Sequence, residues 1–343
     1  MKEADYSALA RALAGNYTLY ACIDEEGKRP RTILVDEEGG DLRKPASIRA
    51  VEPLKALFFS ALENVGNYMG GASTSPGEER DICILGAKSC DLRSLEILDH
   101  VFAGGEFEDP FYVKRRQRTT IISSDCTACV DGCFCELLDI RPYPTGNYDM
   151  NLSPVEGGYV VDIGSDKGKR IVQDHESLFS PATAAQAEEQ KKNRESLSEK
   201  LKEQSAGLGI DADLNRITSE GFEDEVWSEE AIKCVECGAC NFICPTCHCF
   251  ILSDHIGDGG YERIKRWDAC QYAGFSRVAG GESPLARRSQ RLRNRYDKKF
   301  VFFPAQIKKY GCTGCGRCIM ACPGNIDIRE VLGRLSGKKV DAK

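Results

Sequence analysis

Residues 234–250 read CVECGACNFICPTCHCF and hold six cysteines in seventeen positions. Two, two and three residues separate the first four of these cysteines, and a proline follows the fourth. The same pattern, Cys-x2-Cys-x2-Cys-x3-Cys-Pro, recurs in CTGCGRCIMACP at residues 312–323. This internal repeat of thiols at fixed spacing decides how the C-terminal part of the chain is expected to fold.

The spacing has a geometric reason. Three closely spaced thiolates bind one face of an iron–sulfur cube, and the fourth leaves on the following turn toward a second cube. The repeat therefore predicts two [4Fe–4S] clusters that exchange one ligand each. The expected ligand sets are Cys234, Cys237, Cys240 and Cys322 for the first cluster, and Cys312, Cys315, Cys318 and Cys244 for the second. A structural zinc site is the alternative, but it typically uses two Cys-x2-Cys pairs about 15–20 residues apart.

The composition narrows the class of protein. A chain of 343 residues with 41% hydrophobic residues can form about two domains with a buried core. A formal net charge of −7 argues against nucleic acid or an anionic membrane as the main partner. The first twenty residues carry no export signature, and no apolar run reaches the roughly 18 residues of a membrane helix. We therefore expect a cytoplasmic protein whose 18 cysteines are metal ligands more often than disulfides.

The N-terminal part carries the pattern of a mixed α/β domain. Apolar runs predict strands at residues 18–23, 32–35, 81–87, 119–124 and 159–163. Helices are predicted at residues 5–13, about 53–64, and 91–102.

Residues 176–226 are rich in Ala, Glu, Lys and Gln, which predicts a charged, solvated helical arm. Farther along, helices are predicted over 263–280 and 283–296. The expected fold is α+β, with an N-terminal mixed α/β domain at 1–175 followed, after the arm at 176–226, by a helical two-[4Fe–4S] ferredoxin-like domain at 227–343.

A second group of thiols lies in the N-terminal part. Cys90 follows the strand predicted at 81–87, and Cys126 follows the one at 119–124. If these strands are neighbours, both thiols emerge at one edge of the sheet, beside the loop that bears Cys133 and Cys135. Four converging thiolates suit a third cubane cluster. The alternative is a set of buried or free thiols, which is common for single cysteines.

A third group consists of Cys247, Cys249 and Cys270, which could hold a further iron–sulfur centre or line the first one. His248 is disfavoured as a ligand because an interleaved residue points the other way in an extended loop. The Arg and Lys residues of 287–299 could neutralise cluster charge and raise potentials, or dock an acidic partner. A solvated helix face is an equal alternative for them.

Several stretches resemble a known family. GAKSCDLRSLEILD, DPFYVKRR, GNYDMNLS, CPTCHCF, RWDACQ and YGCTGCGRCIMACPGNIDI are similar to the beta subunits of sulfhydrogenases (group 3 nickel–iron hydrogenases) and to the A-type subunits of anaerobic sulfite reductase. The resemblance implies the eight ferredoxin-type ligands and a further cluster at Cys90, Cys126, Cys133 and Cys135. Cys129 is then an extra thiol, and it could exchange with a neighbouring ligand.

The resemblance implies an iron–sulfur electron-transfer subunit of a soluble oxidoreductase complex of hydrogenase, sulfite-reductase or heterodisulfide-reductase-like type. Its expected partners are a catalytic subunit and a flavoprotein linked to NAD(P)H or ferredoxin, with neither nucleic acid nor membrane. No Walker loop and no G-x-G-x-x-G after a strand occurs in the sequence, so no flavin or nucleotide is expected in this chain. The chain is expected to be non-catalytic. One alternative is a reductase of disulfides or sulfur species at Cys247, Cys249 and Cys270, and another is an iron–sulfur sensor.

Overall fold

The computed structural model describes residues 1–35, 42, 44–68, 80–210, 213–257 and 260–337. The described residues form two compact units. One comprises those among 1–54, 78–204 and 313–315, and the other those among 55–77, 205–312 and 316–343. The domain boundaries expected near residues 176 and 227 stay predictions.

The strands are β1 (Thr18–Ile23), β2 (Arg31–Leu34), β3 (Leu62–Tyr68), β4 (Ile82–Ala87), β5 (Thr119–Ser124), β6 (Met150–Val155), β7 (Gly158–Ile163), β8 (Phe250–Gly257) and β9 (Gly260–Trp267). The α-helices are α1 (Glu3–Asn16), α2 (Lys55–Phe58), α3 (Ser89–Phe102), α4 (Pro110–Gln117), α5 (Asp166–Asp174), α6 (Ala184–Ala206), α7 (Leu214–Glu220), α8 (Val226–Lys233), α9 (Ala239–Phe242), α10 (Arg288–Asp297), α11 (Phe303–Ile307), α12 (Arg317–Met320) and α13 (Ile328–Leu335). Short 3-10 turns cover Cys135–Leu138 and Glu176–Leu178, and a π-turn covers Lys298–Phe302.

The first unit is built on a six-stranded sheet of order β2-β1-β4-β5-β6-β7. β1, β4, β5 and β6 are parallel neighbours, while β2 and β7 pair antiparallel at the two edges. The continuous apolar runs of β4 and β5 are typical of parallel strands with both faces covered. The five predicted strands are therefore confirmed, and β4 and β5 are neighbours, as the third thiol site requires.

Helix α1 packs on this sheet through buried residues three and four positions apart. Tyr6, Leu9 and Leu13 join Leu85 and Ile122 in the hydrophobic core of the unit. The helix begins before the predicted start, because the Asp5 side chain accepts the backbone N–H of Lys2 from within the first turn. The predicted helices after β4 and in the charged arm are confirmed as α3 and α6.

The second unit contains a three-stranded antiparallel sheet of order β3-β9-β8, which the sequence did not predict. The helix expected at about 53–64 was wrong: only residues 55–58 are helical, and β3 follows. The helix expected over 263–280 was also wrong, because β9 occupies its first part. Pairing explains both, since β3 and β9 place Glu63 opposite Lys265 in a buried ion pair of 2.7 Å. The helix predicted over 283–296 is confirmed as α10, and the α+β class holds for the whole.

None of the helices in the described ranges combines the length and apolarity needed to span a bilayer.

Candidate metal centres

The two cysteine repeats fold alike. A left-handed glycine, Gly238 (φ 72°) or Gly316 (φ 69°), precedes a one-turn helix that carries the third cysteine of its motif. A Cβ on Gly238 would lie 3.0 Å from both the Ala269 Cβ and the Tyr272 hydroxyl. The positive φ and the close packing together favour glycine at this position. The loop can therefore bring its thiols inward to a common cavity.

One cavity in the second unit brings together the four thiols predicted for the first cluster. Its walls include Cys234, Cys237, Cys240 and Cys322, with Cys318 beside them. The cavity holds about 40 Å³, more than one water needs. Burial raises the pKa of the Cys240 thiol to about 12, so this thiol stays protonated at neutral pH unless a metal binds it. Soft thiol donors in this number suit an iron–sulfur cluster.

Unpartnered donors in the same wall test this fit. Arg295 and Tyr296 line the cavity and are buried. Within the described residues, the Nε and Nη2 groups of Arg295 and the hydroxyl of Tyr296 have no hydrogen-bond partner. Such buried donors are costly when unpaired. The sulfides and thiolates of a [4Fe–4S] cluster are acceptors, so the residues present fit that group.

The second motif contributes thiols to both units. Cys244, Cys312 and Cys318 lie in the second unit, while Cys315 belongs to the first. The ammonium of Lys299 donates to the Cys244 sulfur at 3.3 Å, to the Thr246 hydroxyl at 3.1 Å and to the Gly311 carbonyl at 3.0 Å. A hydrogen bond from Cys247 and the charge of Lys299 hold the pKa of the Cys244 thiol well below its ordinary value. Cys244 is therefore prepared to act as a thiolate.

The third group of thiols lies beside Cys244. The amide nitrogen of Asn241 donates to the Cys270 sulfur at 3.0 Å and to the Cys247 sulfur at 3.7 Å. Cys249 is an electrostatic neighbour of Cys270. The structure thus brings the three predicted thiols into one neighbourhood.

Two basic side chains complete this neighbourhood. The buried Lys55 ammonium donates to the backbone carbonyls of Asn241 at 3.1 Å and Cys247 at 3.0 Å. His248 bonds the Thr246 carbonyl through Nδ1 at 3.0 Å, and burial lowers its pKa to about 4, so its ring is neutral. Sequence reasoning missed Lys55 and Asn241. Lys55 stands far from the cysteines in the chain, and Asn241 looks like a spacer between two of them.

The thiols of the first unit also line a single cavity, of about 30 Å³. The cysteines in its wall are Cys90, Cys126, Cys129, Cys133, Cys135 and Cys315. Cys90 lies in the first turn of α3 and Cys126 follows β5, so the parallel pairing of β4 and β5 delivers both to one edge. Burial raises the pKa of Cys126 to about 12. The donor set again suits a cubane cluster.

Cys129 differs from the other thiols of this cavity. Its thiol donates to the Gln204 side-chain oxygen at 3.8 Å. The Gln204 amide nitrogen donates in turn to the carbonyls of Val130, Asp131 and Cys133 at 2.7–3.1 Å. Helix α6 therefore anchors the loop that carries the predicted ligands, and it gives Cys129 a partner of its own.

A close backbone approach joins the second motif to this site. The Phe134 N–H donates to the Gly314 carbonyl at 2.8 Å, and the guanidinium of Arg49 donates to the Cys315 carbonyl. Gly314 has a φ of 62°, and a Cβ there would lie 2.5 Å from the backbone of Cys135. Residues 313–315 are thus built into the wall of the cavity.

Gly314→Ala is expected to lower the thermal stability of the protein and release iron from the first unit. Left-handed strain and the backbone clash each cost on the order of 1–3 kcal/mol. Thermal unfolding and iron content under anoxic conditions measure the effect. Gly146→Ala is the matched control, because nothing lies within 4 Å of its added Cβ. Equal stability and iron content in the two variants would contradict the packing described for Gly314.

Within the described ranges, no three Cys, His, Asp or Glu side chains are grouped as a site for a single metal ion. The thiols line cavities instead.

Comparison with known proteins agrees with this picture. A family described as "4Fe-4S dicluster domain" matches residues 233–326, the span that holds both repeats. The sulfhydrogenase 2 subunit beta of Pyrococcus furiosus is 30% identical over 286 residues, which cover 83% of each chain. The similarity thus extends well beyond the dicluster domain. The chain therefore belongs to the sulfhydrogenase beta-subunit family and is an iron–sulfur protein of electron transfer.

Proposed function

We propose that the chain is an electron-transfer subunit of a multi-subunit oxidoreductase and relays electrons between a flavin- and NAD(P)H-linked partner and a catalytic partner. The catalytic partner would be of hydrogenase, sulfite-reductase or heterodisulfide-reductase-like type. The observation that carries the proposal is the thiol-lined cavity with unpartnered Arg295 and Tyr296 donors inside a dicluster domain. The relative from Pyrococcus furiosus, a sulfhydrogenase subunit by name, supports it.

The proposed ligands follow the repeat. Cys234, Cys237, Cys240 and Cys322 hold one [4Fe–4S] cluster, and Cys312, Cys315, Cys318 and Cys244 hold the other. Cys90, Cys126, Cys133 and Cys135 hold a third in the first unit. A bound [4Fe–4S] cluster supplies one-electron redox chemistry, and the thiols fix where that chemistry takes place. Buried donors such as Arg295 supply hydrogen bonds to it.

Two features of the chain give this relay a direction in space. Residues 313–315 carry a proposed ligand of the second cluster, Cys315, and also line the cavity of the third. One loop therefore links these two centres. At the other end, Cys237 is the exposed thiol among the 18 cysteines, all of which lie in the described ranges. The cluster held by Cys237 is accordingly the one that an external electron partner reaches.

The proposal is tested by purifying the tagged chain from its own host under anoxic conditions. We expect a flavin-containing protein and a second redox protein to copurify with it. NAD(P)H should then reduce the iron–sulfur signals of the complex in electron paramagnetic resonance (EPR) spectra, whereas the isolated chain should respond to dithionite alone. Reduction of the isolated chain by NAD(P)H, or clusters that stay oxidised in the complex, would contradict the proposal.

A second function is favoured by one observation. Cys247, Cys249 and Cys270 lie together with the buried amines of Lys55 and Lys299. These thiols could bind a further iron–sulfur centre or reduce a disulfide or sulfur species by themselves. Turnover of a disulfide by the isolated chain with reduced viologen, abolished by Cys270→Ser, would support this alternative. Absence of such turnover would leave the carrier function.

A further inference from the structure

A row of buried cations runs along α10 and the π-turn that follows it. Arg291, Arg295 and Lys299 stand four residues apart, a spacing that places side chains on one helix face. They are only 2%, 5% and 5% exposed. The solvated helix face considered from the sequence therefore does not describe these three residues. A buried charge is costly unless an opposite charge compensates it.

The first member of the row has ordinary protein partners. The Arg291 guanidinium donates to the Glu236 carboxylate, to the Gln271 carbonyl at 3.1 Å and to the Ala286 carbonyl at 2.7 Å. Glu236 lies between Cys234 and Cys237 and adopts a positive φ of 58°. Arg291 therefore positions the first cysteine loop, and its charge is neutralised there.

Arg295 has no such compensation. Its strongest electrostatic neighbours are thiols, those of Cys240, Cys318, Cys244 and Cys247. Two of its three guanidinium nitrogens have no hydrogen-bond partner among the described residues. The side chain lines the cavity of the first cluster and also faces thiols assigned to the second.

Lys299 repeats this arrangement one turn farther on. Its ammonium lies 3.3 Å from the Cys244 sulfur and 4.0 Å from the Cys247 sulfur, and its other hydrogen bonds go to neutral oxygens. Arg295 is a like charge that opposes it, whereas Cys244, Cys247 and Cys312 favour it. Two neighbouring buried cations are stable together only when anions lie between or beside them. Thiolate-bound clusters are anions in the right place.

We propose that Arg295 and Lys299 set the reduction potentials of the two ferredoxin-type clusters. Lys299 acts on the cluster held by Cys244, and Arg295 acts on both. Each reduction adds one electron, and therefore one negative charge, to a cluster. A buried positive charge close to the ligand sulfurs stabilises that added charge and raises the potential. This inference rests on the proposed relay function, because it uses the ligand sets assigned there.

The test is an EPR-monitored redox titration of the complete chain with its clusters in place. Lys299→Met should lower the midpoint potential of one ferredoxin-type cluster, and Arg295→Met should lower both. The expected change is at least about tenfold in the ratio of oxidised to reduced cluster at a fixed potential, which is about 59 mV for one electron. The control is Arg293→Met on the same helix, because Arg293 lies 3.5 Å over the Phe222 ring and bonds the Phe222 carbonyl. It should shift neither potential.

Conservative variants separate charge from structure. Lys299→Arg keeps the positive charge, whereas Lys299→Gln removes it and keeps a hydrogen-bond donor. A lower potential in the Gln variant with a nearly unchanged potential in the Arg variant supports the proposal. Unchanged potentials in Lys299→Met and Arg295→Met, with full iron content, would overturn it and leave the relay function intact. Failure of the relay function itself is recognised separately, as a wild-type chain without two ferredoxin-type signals.

Discussion

Replacing Cys240 with serine is expected to remove about four irons from the chain and to stop electron transfer through the dicluster domain. The Cys240 thiol lies in the cavity that Cys234, Cys237 and Cys322 share. A serine hydroxyl is a hard, protonated donor at neutral pH and does not replace a thiolate toward iron. The cluster at this position is also the one nearest to solvent, through the exposed Cys237. Its loss therefore disconnects the chain from an external partner.

Iron analysis and EPR spectra of the anoxically purified variant measure this effect. Cys22→Ser is the matched control. Cys22 is 2% exposed and lies 3.6 Å from the Thr32 hydroxyl, in a strand away from the predicted ligand groups. It should keep all of its iron. A Cys240→Ser variant with full iron and full coupled activity would show that the repeat does not hold a cluster as assigned.

Replacing Cys133 with serine is expected to remove about four irons while both ferredoxin-type signals remain. Cys133 lines the cavity of the first unit together with Cys90, Cys126 and Cys135. A third cluster there requires all four thiolates, so one substitution is sufficient to release it. The transfer of electrons through this unit should fall at least about tenfold, as expected when a relay centre is removed.

Cys129→Ser is the comparison that settles the ligand set of this site. The Cys129 thiol has its own partner in Gln204, so we expect this variant to keep its iron. Iron retained in Cys133→Ser but lost in Cys129→Ser would show that Cys129 is a ligand in place of Cys133. Iron retained in both would contradict a third cluster, and the first unit would then be a scaffold with buried thiols.

Much of the first unit could be predicted because its signals are local. The buried runs at 82–87 and 119–124 are too apolar for exposed loops, and their parallel pairing follows from an α/β pattern. The convergence of Cys90 and Cys126 then follows from strand order alone. The cysteine repeat is equally local, since its spacing states the chemistry directly.

The errors arose where tertiary pairing overrode local preference. The run PLKALFFSALEN has helical spacing, yet residues 62–68 pair with β9, about 200 positions later in the chain. RIKRW lies in β9 for the same reason. No pattern within either segment announces the other, and their buried ion pair of Glu63 with Lys265 becomes visible only in the folded sheet.

The surroundings of the thiols were also beyond reach from sequence. Lys55, Asn241 and Arg49 carry no motif, and they reach their partners through long-range packing. The basic run at 287–299 could be read as a solvated face, and burial alone distinguishes Arg295 and Lys299 from Arg288 in the same run. Ligands were predictable from spacing, whereas the groups that tune them were not.

The most direct test of the proposed function is the amount of iron, zinc and acid-labile sulfide per chain, measured together with low-temperature EPR spectra on protein purified without oxygen. We expect about twelve irons with an equal amount of sulfide, as three [4Fe–4S] clusters require, and no zinc. Fewer than about eight irons, or zinc bound in place of iron, would contradict the central claim that the chain is an iron–sulfur electron carrier.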